Sequence, residues 1–215
     1  MRPAGPRRVR VRTAVLAGSA LTAAVAGCVY AAVGTVAADG SRAEAAAGPA
    51  TAIRAAVGTA ADAKVIDPAD RPAAPALTGD DLDGKRVTLD GLRGHVVVLN
   101  VWGSWCGPCR AEADDLARID RQTRDQGVRF LGINTRDPER AAARSFVSAH
   151  GIGFPSLHDP TGELLLRFPP ALLNPQAIPS TLVLDRRGRI AVSIGGPVTG
   201  DELGPLLSRV MEEAS

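Results

Sequence analysis

The strongest constraint in this 215-residue sequence is a pair of cysteines, Cys106 and Cys109, that lies between two clear structural patterns. Residues 95–101 (HVVVLNV) are almost continuously apolar and rich in β-branched side chains, which is typical of a strand buried on both faces of a sheet. From residue 110 to residue 124, apolar side chains recur at helical spacing, and Gly127 follows as a stop signal. The pattern predicts a buried strand, a short turn that carries both cysteines, and a helix.

Strands and helices continue to alternate on both sides of this unit. Strands are predicted at residues 86–89, 128–133, 181–184 and 190–194, and further helices at residues 138–150 and 201–210. The last two strands are joined by Asp185 to Arg189, a spacing that predicts a β-hairpin. The order β-β-α-β-α-β-β-α predicts a three-layer α/β domain with a mixed sheet.

Two cysteines three residues apart at a helix start lie on one turn and can form a small, reversible disulfide. Cys106 is expected to be the more exposed of the two. It faces the unpaired N–H groups and the positive end of the helix dipole, so its pKa is expected below that of a free thiol. Pro108 lies in the first turn, where its missing N–H costs nothing, and Gly107 lets a partner chain come close. These residues predict a redox-active dithiol.

Other uses of a C-x-x-C pair fit the sequence less well. Zinc needs four ligands, but there is no second C-x-x-C and the three histidines are scattered. A haem attachment site has His directly after the second cysteine, where this chain has Arg110. A structural disulfide of this length would constrain little. Trp102 and Trp105 beside the turn, and Ile178-Pro179 before a later strand, favour a catalytic role.

From about Pro75 to Glu213 the sequence resembles the membrane-tethered TlpA/ResA-like thiol–disulfide oxidoreductases of bacteria. The resemblance is carried, in the expected order, by Asp83-Gly84, Leu92-Arg93-Gly94, residues 98–102 (VLNVW), residues 105–110 (WCGPCR), Phe154-Pro155, residues 178–181 (IPST) and residues 185–188 (DRRG). It implies the thioredoxin fold, with a mixed central sheet flanked by helices. A helix-bearing insert between the central strands, from about Asp137 to Phe168, is similar to that family rather than to plain thioredoxin.

The resemblance also implies roles for individual residues. Cys106 would be the attacking nucleophile and Cys109 the resolving thiol. Pro179 would be a cis proline packed against the dithiol, and Ile178 would offer backbone hydrogen bonds to a substrate strand. Glu112, three residues after Cys109, would be the base that deprotonates it; the alternative is a solvated carboxylate on the helix surface.

Two positions depart from the pattern of these relatives. Asn100 stands where plain thioredoxin has a buried aspartate that handles protons, and an amide cannot accept a proton there. Asp114 stands where the family has a proline that kinks the helix, so a straighter helix is expected.

The N-terminal segment predicts export and tethering. Residues 1–12 contain five arginines and no acidic residue, and residues 13–38 form a run of 26 positions without a charged residue. Such a run can span a bilayer as a helix, and the basic flank predicts a cytoplasmic n-region before a signal or membrane anchor. A buried helix of a soluble protein is the alternative.

Residues 25–28 (VAGC) resemble a bacterial lipobox, which implies lipid attachment at Cys28; an uncleaved signal anchor is the other interpretation. Residues 39–74 are rich in Ala, Gly and Pro and predict a flexible linker, although a short helical extension of the domain also fits. Residues 75–215 are then the predicted domain, on the extracytoplasmic face of the bacterial cytoplasmic membrane.

These observations favour a thiol–disulfide oxidoreductase that uses no cofactor and no metal. The chain beyond the N-terminal arginines is mildly acidic, so nucleic-acid binding lacks its electrostatic footprint. Gly107-Pro108 resembles reducing thioredoxins, so the predicted activity is reduction of protein disulfides with electrons from a membrane thiol donor. The resemblance implies apocytochrome c as a substrate. The alternatives are a peroxiredoxin-like peroxidase and a non-catalytic metal or haem-maturation chaperone.

Overall fold

The apolar run before the cysteines is a strand, and helices and strands alternate around it. A computed structural model of the protein describes residues 63–213. In this range the strands are β1 (Ala63–Val65), β2 (Thr78–Asp80), β3 (Arg86–Thr88), β4 (Val96–Trp102), β5 (Val128–Thr135), β6 (Ser156–Asp159), β7 (Ser180–Leu184) and β8 (Ile190–Gly195). The α-helices are α1 (Gly107–Thr123), α2 (Arg140–Ala149) and α3 (Gly200–Glu212), and short 3₁₀ helices cover Leu89–Leu92, Arg124–Gln126 and Leu165–Arg167.

Six of these strands form one mixed sheet in the order β1-β8-β7-β4-β5-β6, while β2 and β3 pair with each other. Strand β4 is parallel to β5 and antiparallel to β7. Strand β6 extends the sheet parallel to β5, and β8 is antiparallel to both β7 and β1. The mixed sheet and the helix-bearing insert between β5 and β7 confirm the predicted thioredoxin fold.

All seven residues of β4 are buried because the sheet is covered on both faces. Side chains alternate along a strand, so successive residues of β4 enter two different cores. Val96 and Val98 pack with side chains from α1 and α3, among them Leu116, Ile119, Leu203 and Leu206. Val97, Leu99 and Val101 pack on the other face with side chains from the segment before β2 and the stretch before β7, among them Leu77, Leu165, Phe168 and Leu173. The two cores fix the end of β4, where the cysteines follow.

The folded domain begins earlier than the sequence predicts. Residues 63–74 were expected to belong to the linker, but β1 pairs with β8 along its whole length. Arg71 is buried and forms ion pairs with Asp185 and Glu213. Because β1 has only three residues and pairs with the distant β8, no local sequence pattern predicts it. These twelve residues are part of the domain.

The remaining predictions for the N-terminal segment fall outside the described residues. They are the n-region (1–12), the signal or anchor (13–38), the lipid site at Cys28 and the first part of the linker. From residue 63 to residue 213, no helix is both long enough and apolar enough to cross a membrane.

Candidate active site

The two cysteines lie where β4 ends and α1 begins. Cys106 is the N-cap of α1, and Cys109 in the first turn donates its backbone N–H to Cys106 Sγ at 3.1 Å. Gly107 and Pro108 occupy the first two helical positions, where a proline is tolerated. A disulfide joins the cysteines, with their Cα atoms 5.3 Å apart. This geometry places the Cys106 sulfur against an N–H of the first helical turn that has no partner within the helix.

Both sulfur-bearing residues are buried in this disulfide form. Cys106 is 3% exposed and Cys109 is 2% exposed, so the two residues hardly differ in exposure in this form. Both pack in one apolar cluster with Trp102 and Phe146, whose rings stack at 4.7 Å. The insert helix α2 supplies Phe146, which explains why the cover over the dithiol is not visible in the sequence around it.

The loop before β7 lies against the first cysteine. The Ile178–Pro179 peptide bond is cis, and the carbonyl oxygen of Ile178 lies 3.8 Å from Cys106 Sγ. The carbonyl of Pro179 accepts a hydrogen bond from Gly196 N–H at 3.0 Å. The arrangement leaves the backbone of Ile178 beside the Cys106 sulfur.

Glu112 is buried, at 2% exposure, and is not on the solvated surface of α1. Its two oxygens accept hydrogen bonds from Asn100 Nδ2 at 2.8 Å and from the backbone N–H of Val198 at 2.9 Å. Burial raises the pKa of Glu112 to about 7, although the bonds from Val198 and Asn100 lower it. A carboxyl group with this pKa can take up and release a proton near neutral pH.

Asn100 orients this carboxyl group. Its amide nitrogen also donates to Thr181 Oγ1 at 3.1 Å, so one side chain joins β4, β7 and α1. Asn100 is buried and points to the α1 side of the sheet, like Val96 and Val98. It supplies a hydrogen-bond donor at a position where an acid would supply a proton acceptor.

Trp105 is 49% exposed, and contacts at the Nε1 edge of its indole ring hold it in place. The indole Nε1 donates to the carbonyl of Thr135 at 3.2 Å. The ring lies so close to Gly103 that a Cβ on this glycine would be 2.5 Å from Nε1. The sequence identifies Trp105 but not Gly103. A glycine is needed at position 103 because the folded indole occupies the space that a Cβ would take.

The sequence patterns do not identify a second group of residues beside the dithiol, which centres on Asp137. Asp137 is 3% exposed, and its carboxylate accepts hydrogen bonds from both the backbone N–H and the hydroxyl of Ser104, at 2.8 and 2.6 Å. Asn134 Nδ2 donates to the same carboxylate at 2.6 Å. The signal available in the sequence is an acid two residues after β5, because β5 runs parallel to β4 and the two strands end at one edge of the sheet.

Asp114, at the position of the family's proline, lies within a helix that continues without interruption to Thr123. Its carboxylate lies 2.8 Å from Nδ1 of His150, the C-cap of α2, and the His150 ring packs on Phe146. The departure from the family pattern therefore connects α1 to α2. Across residues 63–213, no group of three or more His, Cys, Asp or Glu residues is arranged to hold a metal ion.

Comparisons with known proteins agree with this geometry. The model of the AhpC/TSA family matches residues 71–193. Thiol-disulfide oxidoreductase ResA of Bacillus subtilis (strain 168) is 29% identical over 126 residues, which cover 59% of this chain and 67% of that protein.

Two solved structures are similar over most of their length. A DsbF homologue from Corynebacterium diphtheriae superposes with a TM-score of 0.62 and 32% identity, covering 69% of this chain and 92% of that chain. A secreted thiol-disulfide isomerase from Corynebacterium glutamicum superposes with a TM-score of 0.61 and 34% identity, covering 70% of this chain and 92% of that chain.

Proposed function

Because the chain belongs to the AhpC/TSA family and is a thiol–disulfide oxidoreductase, we propose that it reduces disulfides in protein substrates through Cys106 and Cys109. The observation that carries this proposal is the N-cap position of Cys106, where the Cys109 N–H points at its sulfur. The helix N-terminus stabilises negative charge on that sulfur, and the thiolate is the form that attacks disulfides.

The reaction has two exchange steps. The Cys106 thiolate attacks one sulfur of the substrate disulfide, a mixed disulfide forms, and the other substrate sulfur leaves as a thiolate. The Cys109 thiolate then attacks Cys106 Sγ, which releases the second substrate thiolate and leaves the Cys106–Cys109 disulfide. Two electrons pass to the substrate, so a thiol donor must reduce the enzyme before the next cycle. We assign that role to a membrane thiol carrier.

Glu112 is proposed as the proton acceptor for Cys109. It lies one helical turn after Cys109, is buried, and has a pKa of about 7 as a result of that burial. The resolving step needs Cys109 as a thiolate, and a base titrating near the working pH is the most effective acceptor. The bonds from Asn100 and Val198 keep its two oxygens in place during the transfer.

Gly107-Pro108 between the cysteines supports the reducing direction, since this pair resembles reducing thioredoxins. The measurement that separates the two directions is the reduction potential of the Cys106–Cys109 pair. A value near −270 mV, roughly that of thioredoxin, is expected. A value near −120 mV, roughly that of a strong oxidant such as DsbA, would instead mean that the protein forms disulfides.

The proposed location is the extracytoplasmic face of the bacterial membrane, with the domain tethered through the N-terminal segment. The basic residues 1–12, the uncharged residues 13–38 and the secreted relative from Corynebacterium glutamicum support it. Apocytochrome c is the substrate proposed from the resemblance to the ResA-like proteins. Mass spectrometry of the membrane-extracted protein decides between a lipid on Cys28 and an uncleaved anchor.

Cysteine variants test the mechanism directly. Cys106→Ser is expected to abolish insulin reduction, and Cys109→Ser is expected to accumulate a covalent adduct with the substrate. Cys28→Ser is the matched control and should leave the rate unchanged, because Cys28 lies 78 positions before Cys106 and outside the dithiol. Full insulin reduction by Cys106→Ser would remove the proposed nucleophile.

The same protein preparation separates the two rival functions. A peroxidase would consume hydrogen peroxide in the reduced state without reducing insulin. A metal or haem-maturation chaperone would bind metal tightly through the reduced dithiol and show negligible disulfide exchange. The proposed reductase is expected to reduce insulin and to show neither behaviour.

A further inference from the structure

Three consecutive residues at the end of β5, Thr135 to Asp137, contact the segments on both sides of Cys106. Thr135 holds the Trp105 indole through its carbonyl, and Asp137 holds Ser104 through two hydrogen bonds to its carboxylate. Between them, Arg136 Nη2 donates to the carbonyl of Pro175 at 2.8 Å and contacts Gln176 Oε1 at 3.4 Å.

The wall that carries the nucleophile is Ser104–Cys106. Every polar group of Ser104 is engaged, because its N–H and hydroxyl bond to Asp137 and its carbonyl accepts from Arg110 Nη2 at 3.0 Å. Cys106 N–H closes the turn on the carbonyl of Gly103 at 3.1 Å. The buried carboxylate of Asp137 therefore determines where the turn and its sulfur sit.

The opposite wall is residues 175–178, which end at the Ile178 carbonyl beside Cys106 Sγ. Arg136 reaches it from an unusual backbone conformation, with φ at 58°, the one positive φ of a non-glycine residue between residues 63 and 213. A bulky residue with positive φ is strained, and such strain concentrates at functional sites. The Arg136 N–H is bonded to the carbonyl of Asp159 at 3.2 Å, which fixes the turn at its base.

We propose that the turn Thr135–Asp137 is a positioning element for thiol–disulfide exchange, which sets the separation of the two walls that receive an extended cystine-containing segment of the substrate. Asp137 and Thr135 fix the Cys106 wall, and Arg136 fixes the Ile178 wall. The proposal rests on the exchange reaction proposed above. Its physical basis is that a reaction between two sulfurs requires them to be held in a near-attack geometry.

A small disulfide and a protein disulfide depend on the two walls to different extents, and this difference provides the test. A small disulfide such as DTNB needs only the Cys106 sulfur, whereas a protein disulfide also needs the groove beside Ile178. Arg136→Gly removes the contacts with Pro175 and Gln176 and also relieves the positive φ, so the fold should not lose stability. In the full-length protein we expect kcat/KM for insulin to fall about tenfold, mainly through KM, while the DTNB rate changes less than about twofold.

Asp137→Asn should slow both substrates by about tenfold, because the carboxylate charge is lost and only one side-chain oxygen is left to accept, so the Ser104 hydroxyl has to turn and accept from the amide NH₂. Ser104→Ala removes the hydroxyl from the same contact and serves where Asp137→Asn folds poorly. The double variant should be no slower than Asp137→Asn, because both changes break one interaction. Asp120→Asn is the matched control: Asp120 is equally buried and pairs with Arg124 at the far end of α1, so it should lower stability without changing either rate.

The proposal is overturned if Arg136→Gly reduces insulin at the wild-type KM. It is equally overturned if Asp137→Asn and Ser104→Ala slow the DTNB reaction no more than Asp120→Asn does. A wild-type protein that reacts with DTNB but not with insulin would contradict the proposed function instead, while the effects of Asp137→Asn and Ser104→Ala on the DTNB rate would still decide the role of Asp137.

Discussion

The buried carboxyl group of Glu112 makes a quantitative prediction about stability and pH. Its pKa rises from the ordinary value of 4.5 to about 7 because burial disfavours the charged form. The folded state therefore binds this proton more tightly than the unfolded state, so stability falls as pH rises from about 4.5 to about 7. A shift of this size corresponds to about 3 kcal/mol in total, of which about 2 to 3 kcal/mol is lost between pH 5 and pH 8.5.

Glu112→Gln isolates this contribution. Glutamine is neutral at every pH, so it adds no pH dependence. Its NH₂ cannot accept a hydrogen bond from Asn100 or Val198, so one of these buried donors is left unpaired at a cost of about 1 to 3 kcal/mol. The variant should be less stable than wild type at pH 5. At pH 8.5 the difference should shrink to near zero or reverse, because wild type now carries a buried charge.

The assay is urea unfolding of both oxidised proteins at pH 5 and pH 8.5, with the disulfide intact so that the cysteines do not titrate. The quantity compared is the difference in unfolding free energy between wild type and variant, in which contributions from other groups cancel. A difference that is the same at both pH values would refute the raised pKa. Insulin reduction by the same variant should also lose its dependence on a group titrating near pH 7.

Two further changes test other parts of the structure. Gly103→Ala places a Cβ 2.5 Å from Trp105 Nε1, so the indole must move at a cost of about 1 to 3 kcal/mol. We expect the tryptophan fluorescence spectrum to shift and insulin reduction to slow. An unchanged spectrum would contradict the contact between Gly103 and the indole. Arg71→Ala removes the buried guanidinium from Asp185 and Glu213, which keep their ion pairs with Arg189 and Arg209, and should cost about 2 kcal/mol in urea unfolding. A loss below about 1 kcal/mol would show that residues 63–74 contribute little to the domain.

Local patterns in the sequence are sufficient for the centre of the fold. Strand β4 is predictable because residues 95–101 form a nearly continuous apolar, β-branched run, and α1 is predictable because its apolar residues repeat at helical spacing. The β7–β8 hairpin is visible because the two strands are joined by a short turn. The dithiol is equally local, since both cysteines belong to one turn of α1.

What the sequence could not predict depends on partners far along the chain. Strands β1, β2 and β6 have three or four residues each, too few to show a period, and β1 is a strand through its pairing with β8. Asp137 acts on Ser104 across 33 positions, and Glu112 is fixed by Val198 across 86 positions. In each case the residue type is ordinary, and its role comes from which distant segments the fold brings together.

The pairing of Asn100 with Glu112 shows how such a distant contact shapes the chemistry. An amide on β4 cannot take a proton, but it donates a hydrogen bond that favours the ionised form of the carboxyl group on α1. Burial acts in the opposite direction and is the larger effect, so the pKa settles at about 7 and the group can both accept and return a proton. Because Glu112 and Cys109 are on the same helix, a shift of α1 carries acceptor and thiol together, whereas an acid on β4 would stay behind. The sheet thus orients the proton acceptor without itself being titrated, and the reacting groups are kept on the helix that carries the dithiol.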